Sequence, residues 1–350
     1  MRALAALVLT LGMAPQFHIG PVDVPPPPVA GFPDHEPPEI SASAWVLYSV
    51  DEGAILLAVN PDTLRAPASV TKVMTALVVV ANTEPGETVT ISATADATPI
   101  GFVGQEELRE GQVWTVEDLL SYILVISGND GAVALAEHVA GSEEDFVVLM
   151  NEMATQLAMD STTFKNANGL DAVGHLSTAR DLIRLGLAAI DEPRIVAATS
   201  TKYIVFELAS GEVVEGENTN KLLGSFPGVM GLKTGDTVSA GLVLLSYLDG
   251  SHEDYVAVVM GADNHMEATR ELLAYALETL GPKDHFYSGA AGSELLAGMP
   301  DWFVARATAA GPLDDGGGPP AQHPPTPAER VLIAQLRDLL PGVLGGDSSP

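Results

Sequence analysis

Two side chains that could do chemistry together stand three residues apart. They are Ser69 and Lys72, in the run Ala66-Pro67-Ala68-Ser69-Val70-Thr71-Lys72-Val73-Met74. On a helix, positions i and i+3 lie on one face, so hydroxyl and amine would meet. A serine hydroxyl is a weak nucleophile until a base takes its proton, and a neutral amine is such a base. A lysine begins near ~10.4, so neutrality at about pH 7 needs roughly 4–5 kcal/mol of selective destabilisation of the charged form. Burial and a second nearby cation both act in that direction. Ser69 also falls where a helix leaves its first N–H groups unpaired, which favours negative charge beside it. Ser-x-x-Lys alone is a common pattern. It gains meaning from two others downstream, Ser127-Gly128-Asn129 and Lys233-Thr234-Gly235.

Elements to position these groups can be read from the same residues. Pro67 suits the first turn of a helix, where a missing N–H costs nothing. Val70, Val73, Met74, Leu77, Val78 and Ala81 follow helical spacing across 66–81, and the other faces are apolar too, which predicts a buried helix. Residues 44–49 and 54–59 read as strands joined by the turn Asp51-Glu52-Gly53. A short strand is expected at 89–92, and helices at 116–125, 132–139, 146–157 and 178–189. A second hairpin is expected from 202–207 and 212–215 around Ser210-Gly211. Strands at 229–234, 241–248 and 255–261 and a helix at 266–280, stopped by Gly281-Pro282, complete the series. Strands at both ends with helices between predict an α+β fold, with a helical lobe against a mostly antiparallel sheet.

Each chemical group has a plainer reading beside the functional one. Ser127 and Asn129 fall in a loop between two helices, where they could serve as caps. Thr237 fits a strand-surface threonine. Asn168-Gly169 is first a turn signal, and His175 a structural loop residue. Lys233 is different: it lies in an apolar strand, where an unpartnered charge is costly, and this favours function. The eight histidines show no metal-ligand spacing, so neither a metal nor another cofactor is expected.

The chain has 350 residues and no cysteine, which excludes disulfides, thiolate metal sites and cysteine catalysis. A net charge of −30 argues against nucleic acid as a partner and for a solvated acidic surface. Residues 1–14 carry one basic residue, Arg2, and then an apolar run, as in a secretory signal peptide. The alternative is a short anchor giving weak membrane contact through the N-terminus. Residues 15–39 are expected to form a proline-rich linker, 40–282 the folded domain that carries the candidate chemical groups, and 283–350 a mostly disordered Gly/Pro-rich tail.

The three motifs in this order, with Pro67-Ala68-Ser69-Val70-Thr71-Lys72, Ser127-Gly128-Asn129-Asp130, Asn168-Gly169-Leu170-Asp171 and Gly231-Leu232-Lys233-Thr234-Gly235, resemble the low-molecular-weight penicillin-binding proteins. These are the serine-type D-Ala-D-Ala carboxypeptidases. The resemblance covers about 40–280 and implies the β-lactamase/penicillin-binding-protein-like transpeptidase fold, an antiparallel sheet flanked by helices with a helical lobe. It implies that Ser69 attacks the carbonyl between two D-alanines of a peptidoglycan stem peptide and that Lys72 takes its proton. Ser127 would relay a proton to the leaving nitrogen, and Asn129 would hold substrate or position Lys72. Lys233 would stay charged and polarise Ser127. Thr234 and Thr237 would offer hydroxyls to the substrate carboxylate, alongside Gly235 and Asp236, and the backbone N–H groups of Ser69 and Asp236 would bind the oxyanion. β-Lactam antibiotics would be inhibitors, and the location would be extracytoplasmic.

Two positions depart from the family pattern. Asp236 stands where an aromatic or histidine is usual, and Gly131 where alanine is usual. No run of alternating strands follows Pro282, so the family's additional C-terminal β-domain is not expected here. Three alternatives share the scaffold: a DD-endopeptidase on cross-links, a serine β-lactamase, and a catalytically weakened cell-wall-binding relative. A β-lactamase needs a base for its deacylating water, and 163–170 offers no glutamate.

Overall fold

A computed structural model describes residues 38–99, 108–207, 211, 213–250 and 253–280. The expected leader, nearly all of the proline-rich linker, the Gly281-Pro282 stop and the tail lie outside the described residues.

Five strands form the central sheet: β1 (Ala42–Ser49), β2 (Ala54–Val59), β7 (Val229–Thr237), β8 (Gly241–Leu248) and β9 (Tyr255–Ala262). Their order is β2-β1-β9-β8-β7, antiparallel throughout, with β7 on an edge. The inner strands are apolar at nearly every position because both faces are covered. Side-chain alternation divides them. Val46, Val243, Leu245, Val256 and Val258 enter the larger core with the helical lobe. Leu47, Leu244, Leu248, Tyr255 and Ala257 enter a second core with Leu273 of the last helix. Two small hairpin sheets complete the strands: β3 (Thr88–Thr90) with β4 (Val113–Thr115), and β5 (Tyr203–Glu207) with β6 (Val213–Glu217).

The helices are α1 (Thr71–Asn82), α2 (Ala93–Asp96), α3 (Val116–Val125), α4 (Asn129–Ala140), α5 (Glu143–Gln156), α6 (Ala179–Ile190), α7 (Pro193–Thr199) and α8 (His265–Tyr275), with a π-helical turn at Ala276–Leu280. Several start where a side-chain oxygen accepts an orphan N–H. Thr115, Ser142, Thr178 and Asn264 cap α3, α5, α6 and α8 by accepting from the third residue on. α1 buries nine consecutive residues from Thr71 to Val79, as its all-round apolar sequence predicts. It packs against α3, α4, α5, α6 and α7.

Three expectations need correction. The predicted helix over 66–81 begins as a 3-10 turn, Ala68–Val70, and becomes an α-helix only at Thr71. Ala68 adopts a left-handed φ of +49°, which no α-helix continues through. Asn129 is the first residue of α4 rather than part of the preceding loop. Finally, β4, α2 and α7 went unforeseen: each spans seven residues or fewer, too short for periodicity to speak.

Candidate active site

Ser69 sits in the 3-10 turn where α1 meets the edge strand β7. One turn on, Lys72 is fully buried. Its Nζ lies 2.7 Å from Asn129 Oδ1, 2.6 Å from the backbone oxygen of Asn168 and 3.1 Å from Ser69 Oγ. The first two neighbours are carbonyl oxygens, which only accept. A neutral amine has two protons and one lone pair. With both protons committed to those carbonyls, the lone pair is left for the Ser69 hydroxyl. Burial and the nearby Lys233 cation both push the Lys72 amine well below the ordinary lysine range, and Asp130 pulls the other way.

Asn129 is more than a cap. Gly128 is the N-cap of α4 and makes no side-chain capping bond. The Asn129 amide instead bridges two segments, accepting from Lys72 and donating to the Pro99 carbonyl at 2.9 Å. Ser127 carries a left-handed φ of +69°, and its Oγ is buried without a hydrogen-bond partner among the described residues. Two left-handed non-glycine residues, Ala68 and Ser127, thus flank the chemistry. Such strain costs about 1–3 kcal/mol each and gathers where geometry serves function.

Lys233 is fully buried on β7. Its Nζ donates to the Thr234 carbonyl at 3.1 Å and to Thr219 Oγ1 at 3.5 Å. It makes no bond to Ser127, so the expected polarising contact is absent from this geometry. Nor is its charge permanent, since burial lowers it to about 7. Thr234 donates to Thr219 Oγ1 at 2.6 Å. The hydroxyl of Thr237, expected to face a substrate carboxylate, donates to Asp171 Oδ1 at 2.7 Å, and Asp171 also accepts from the Ser239 N–H.

Gly235 lets β7 approach the serine. A Cβ there would lie 2.8 Å from Ala68 Cβ and 3.0 Å from the Ser69 nitrogen. Gly235→Ala is therefore expected to push Ser69 from β7 and slow its acylation about 10²-fold, the usual result of an ångström-scale misplacement. Stopped-flow acylation with a chromogenic β-lactam measures this. The next residue, Asp236, pairs with Leu242 where Gly235 pairs with Val243. Alternation directs its side chain to the opposite face from Gly235, where it is exposed. Its carboxylate therefore points away from Ser69.

Asn168-Gly169 is a turn, as its sequence predicts, held by Asn166 Oδ1 accepting the Gly169 N–H. Its carbonyl contact to Lys72 had no sequence signal of its own. His175 is structural. Its Nδ1 accepts from the Lys165 N–H, so the neutral ring carries its proton on Nε2 and donates to Thr71 Oγ1 at 2.9 Å. Burial holds it down to about 4. The unfolded chain binds this proton near ~6.5, so stability contributed by neutral His175 is present above that pH. It falls by about 3 kcal/mol as pH drops toward the folded value. His175→Gln is expected to flatten that part of the pH–stability curve in urea titrations.

The site residues placed together are Ser69, Lys72 and Asn129 directly, with Lys233, Thr234 and Gly235 on the adjoining strand. Thr219 and Asp171 were not foreseen. Thr219 reaches the site only through tertiary packing, while Asp171 lies in the Asn168-Gly169-Leu170-Asp171 run already singled out. Among the described residues no group of His, Asp and Glu is arranged to hold a metal.

An antiparallel sheet flanked by helices, with Ser-x-x-Lys opening a buried helix against a Lys-Thr-Gly edge strand, defines the penicillin-binding fold. The family profile described as D-alanyl-D-alanine carboxypeptidase, peptidase family S11, matches residues 33–264. The chain belongs to this family. It is 39% identical over 254 residues to the D-alanyl-D-alanine carboxypeptidase DacD of Escherichia coli, covering 69% of this chain and 64% of that protein. With DacC of the same organism it shares 37% over 237 residues, 65% of this chain and 58% of the relative. The chain thus spans less than two thirds of the length of these relatives. Among solved structures, penicillin-binding protein 6B of Escherichia coli superposes with a TM-score of 0.64 at 37% identity, covering 72% of this chain and 81% of that one. The Streptomyces K15 DD-transpeptidase gives 0.65 at 26%, covering 69% and 99%.

Proposed function

We propose that this protein is a serine D-alanyl-D-alanine carboxypeptidase that trims peptidoglycan stem peptides outside the cytoplasm. The observation that carries this reading is Lys72, fully buried, its Nζ held against two carbonyl oxygens and 3.1 Å from Ser69 Oγ, so that in its neutral form it has a lone pair for the serine proton.

Neutral Lys72 takes the Ser69 proton as Oγ attacks the carbonyl between the two D-alanines. The oxyanion forms between the backbone N–H groups of Ser69 and Asp236. Ser127 passes its proton to the departing amine and is reprotonated by Lys72, which returns to its neutral form; the terminal D-alanine leaves, and water then releases the shortened peptide. Lys233, when protonated, and the hydroxyls of Thr234 and Thr237 attract the substrate's terminal carboxylate. Thr237 exchanges its Asp171 contact for that carboxylate. A β-lactam carbonyl is attacked in the same way, and the acyl-enzyme persists. What the 163–170 loop presents to Lys72 is a carbonyl, that of Asn168, and not a carboxylate to activate water. This favours a penicillin-binding enzyme over a β-lactamase.

The test is release of D-alanine from a peptide ending in D-Ala-D-Ala, with a peptide ending in L-Ala-L-Ala and the Ser69→Ala protein as controls. Stereospecific release by wild type alone supports the reading. Absence of release from any D-Ala-D-Ala peptide by folded protein that still acylates with penicillin would overturn the carboxypeptidase assignment.

A further inference from the structure

The residue after Asn129 makes more bonds than its neighbours in the motif, and none of the roles above uses it. Asp130 is 1% exposed. Its Oδ2 accepts from the Leu108 N–H at 2.9 Å and from the Tyr122 hydroxyl at 3.1 Å, and its Oδ1 accepts from the Gly131 N–H at 2.8 Å. Three donors from three segments thus converge on one buried carboxylate. Asn129 meanwhile grips Pro99 and Lys72. Adjacent side chains on α4 therefore fasten both Pro99 and Leu108, and the same two residues set the position of the amide that touches Lys72.

Room for this arrangement is made in the sequence. The Tyr122 ring lies across Gly128 and Gly131. A Cβ at 128 would fall 1.8 Å from Tyr122 Cε1, and one at 131 would fall 2.7 Å from Cδ1. The unusual glycine at 131 is thus the space occupied by the ring whose hydroxyl reaches Asp130.

We propose that Asp130 is a positioning residue for acylation: its carboxylate fixes Asn129 against Lys72 and places a negative charge near that amine. The charged groups acting on Lys72 are Lys233 from β7, which favours the neutral amine, and Asp130 from α4, which favours the charged one. Burial raises Asp130's own proton affinity, and the Leu108, Gly131 and Tyr122 donors oppose that in part. The Asp130 charge thus acts in the direction that supports uptake of the Ser69 proton by Lys72.

This inference rests on Lys72 acting as base, so the test separates the two. The acylation rate of full-length protein by a fluorescent penicillin is followed against pH for wild type, Asp130→Asn and Tyr122→Phe. Removing the charge should move the acid limb of the profile down by about one pH unit and lower its plateau about 10-fold. Tyr122→Phe keeps the charge and removes one donor that disperses it, so its acid limb should move slightly upward. It also remains informative if Asp130→Asn does not fold. A purely structural role would lower the plateaus and leave the limbs in place, and that result overturns the proposal while the base assignment stands. A wild type that does not acylate at all removes both.

Discussion

Lys72→Ala is expected to slow acylation of Ser69 by about 10²–10⁴-fold, the range that a positioned general base supplies. The argument is one of valence. Asn129 Oδ1 and the Asn168 carbonyl can only accept, so the neutral amine has its lone pair free for the serine. An alanine leaves Ser69 with no base at 3.1 Å. The fold should survive, because the vacated space is lined by the two carbonyls and Ser69 Oγ, polar partners for water in place of the amine. Thermal unfolding should therefore stay cooperative while the acylation rate collapses. Near-wild-type acylation by this variant would show that another group takes the proton.

Lys233→Met should do two opposite things. Acylation is expected to fall about 10²–10³-fold, the effect of removing one preorganised electrostatic contact from a transition state. Stability is expected to rise by about 1–4 kcal/mol near neutral pH, because a buried cation is replaced by an apolar chain of similar volume. The basis is that Lys233 is fully buried with a carbonyl and a hydroxyl for partners, and burial brings it down to about 7. The pH dependence has a definite sign. Between that value and ~10.4 the unfolded chain holds a proton that the folded protein has released, so wild-type stability rises with pH across this window. The methionine variant lacks this contribution, and its advantage should shrink as pH rises from about 7 toward ~10. Denaturant titrations at several pH values measure it. An advantage that is constant with pH, or a loss of stability, would mean Lys233 is better accommodated than its surroundings indicate.

Much of this site could be read in the chain before the structure. Ser-x-x-Lys on an apolar helix makes a local prediction, since both groups belong to one element and their spacing fixes their proximity. The strand assignments at 54–59 and 241–248 succeeded for the same reason: β2 and, apart from Ser246, β8 are apolar runs bounded by turn residues. What could not be read was contact across elements. Nothing near Thr219 in sequence announces that it will accept from Lys233 and Thr234, or that Asp171 will hold Thr237. That Lys233 would stay charged is what the family resemblance implies. The depth of its burial, which decides the question, is a property of the assembled sheet and lobe. Asp236 departs from the family pattern, and the pleat of β7 turns its side chain to the opposite face from Gly235. The turn at Ala68–Val70 shows the reverse limit. Pro67 signals a helix start, yet the left-handed Ala68 that shapes that start leaves no compositional trace.

The most direct test of the central claim, that Ser69 is an acylating nucleophile served by Lys72, is intact-protein mass spectrometry during incubation with benzylpenicillin. The wild-type chain should gain the mass of one penicilloyl group and keep it over many minutes, with Ser69→Ala gaining none. An adduct that persists in Ser69→Ala, or a folded wild-type protein that never gains one, would contradict the account.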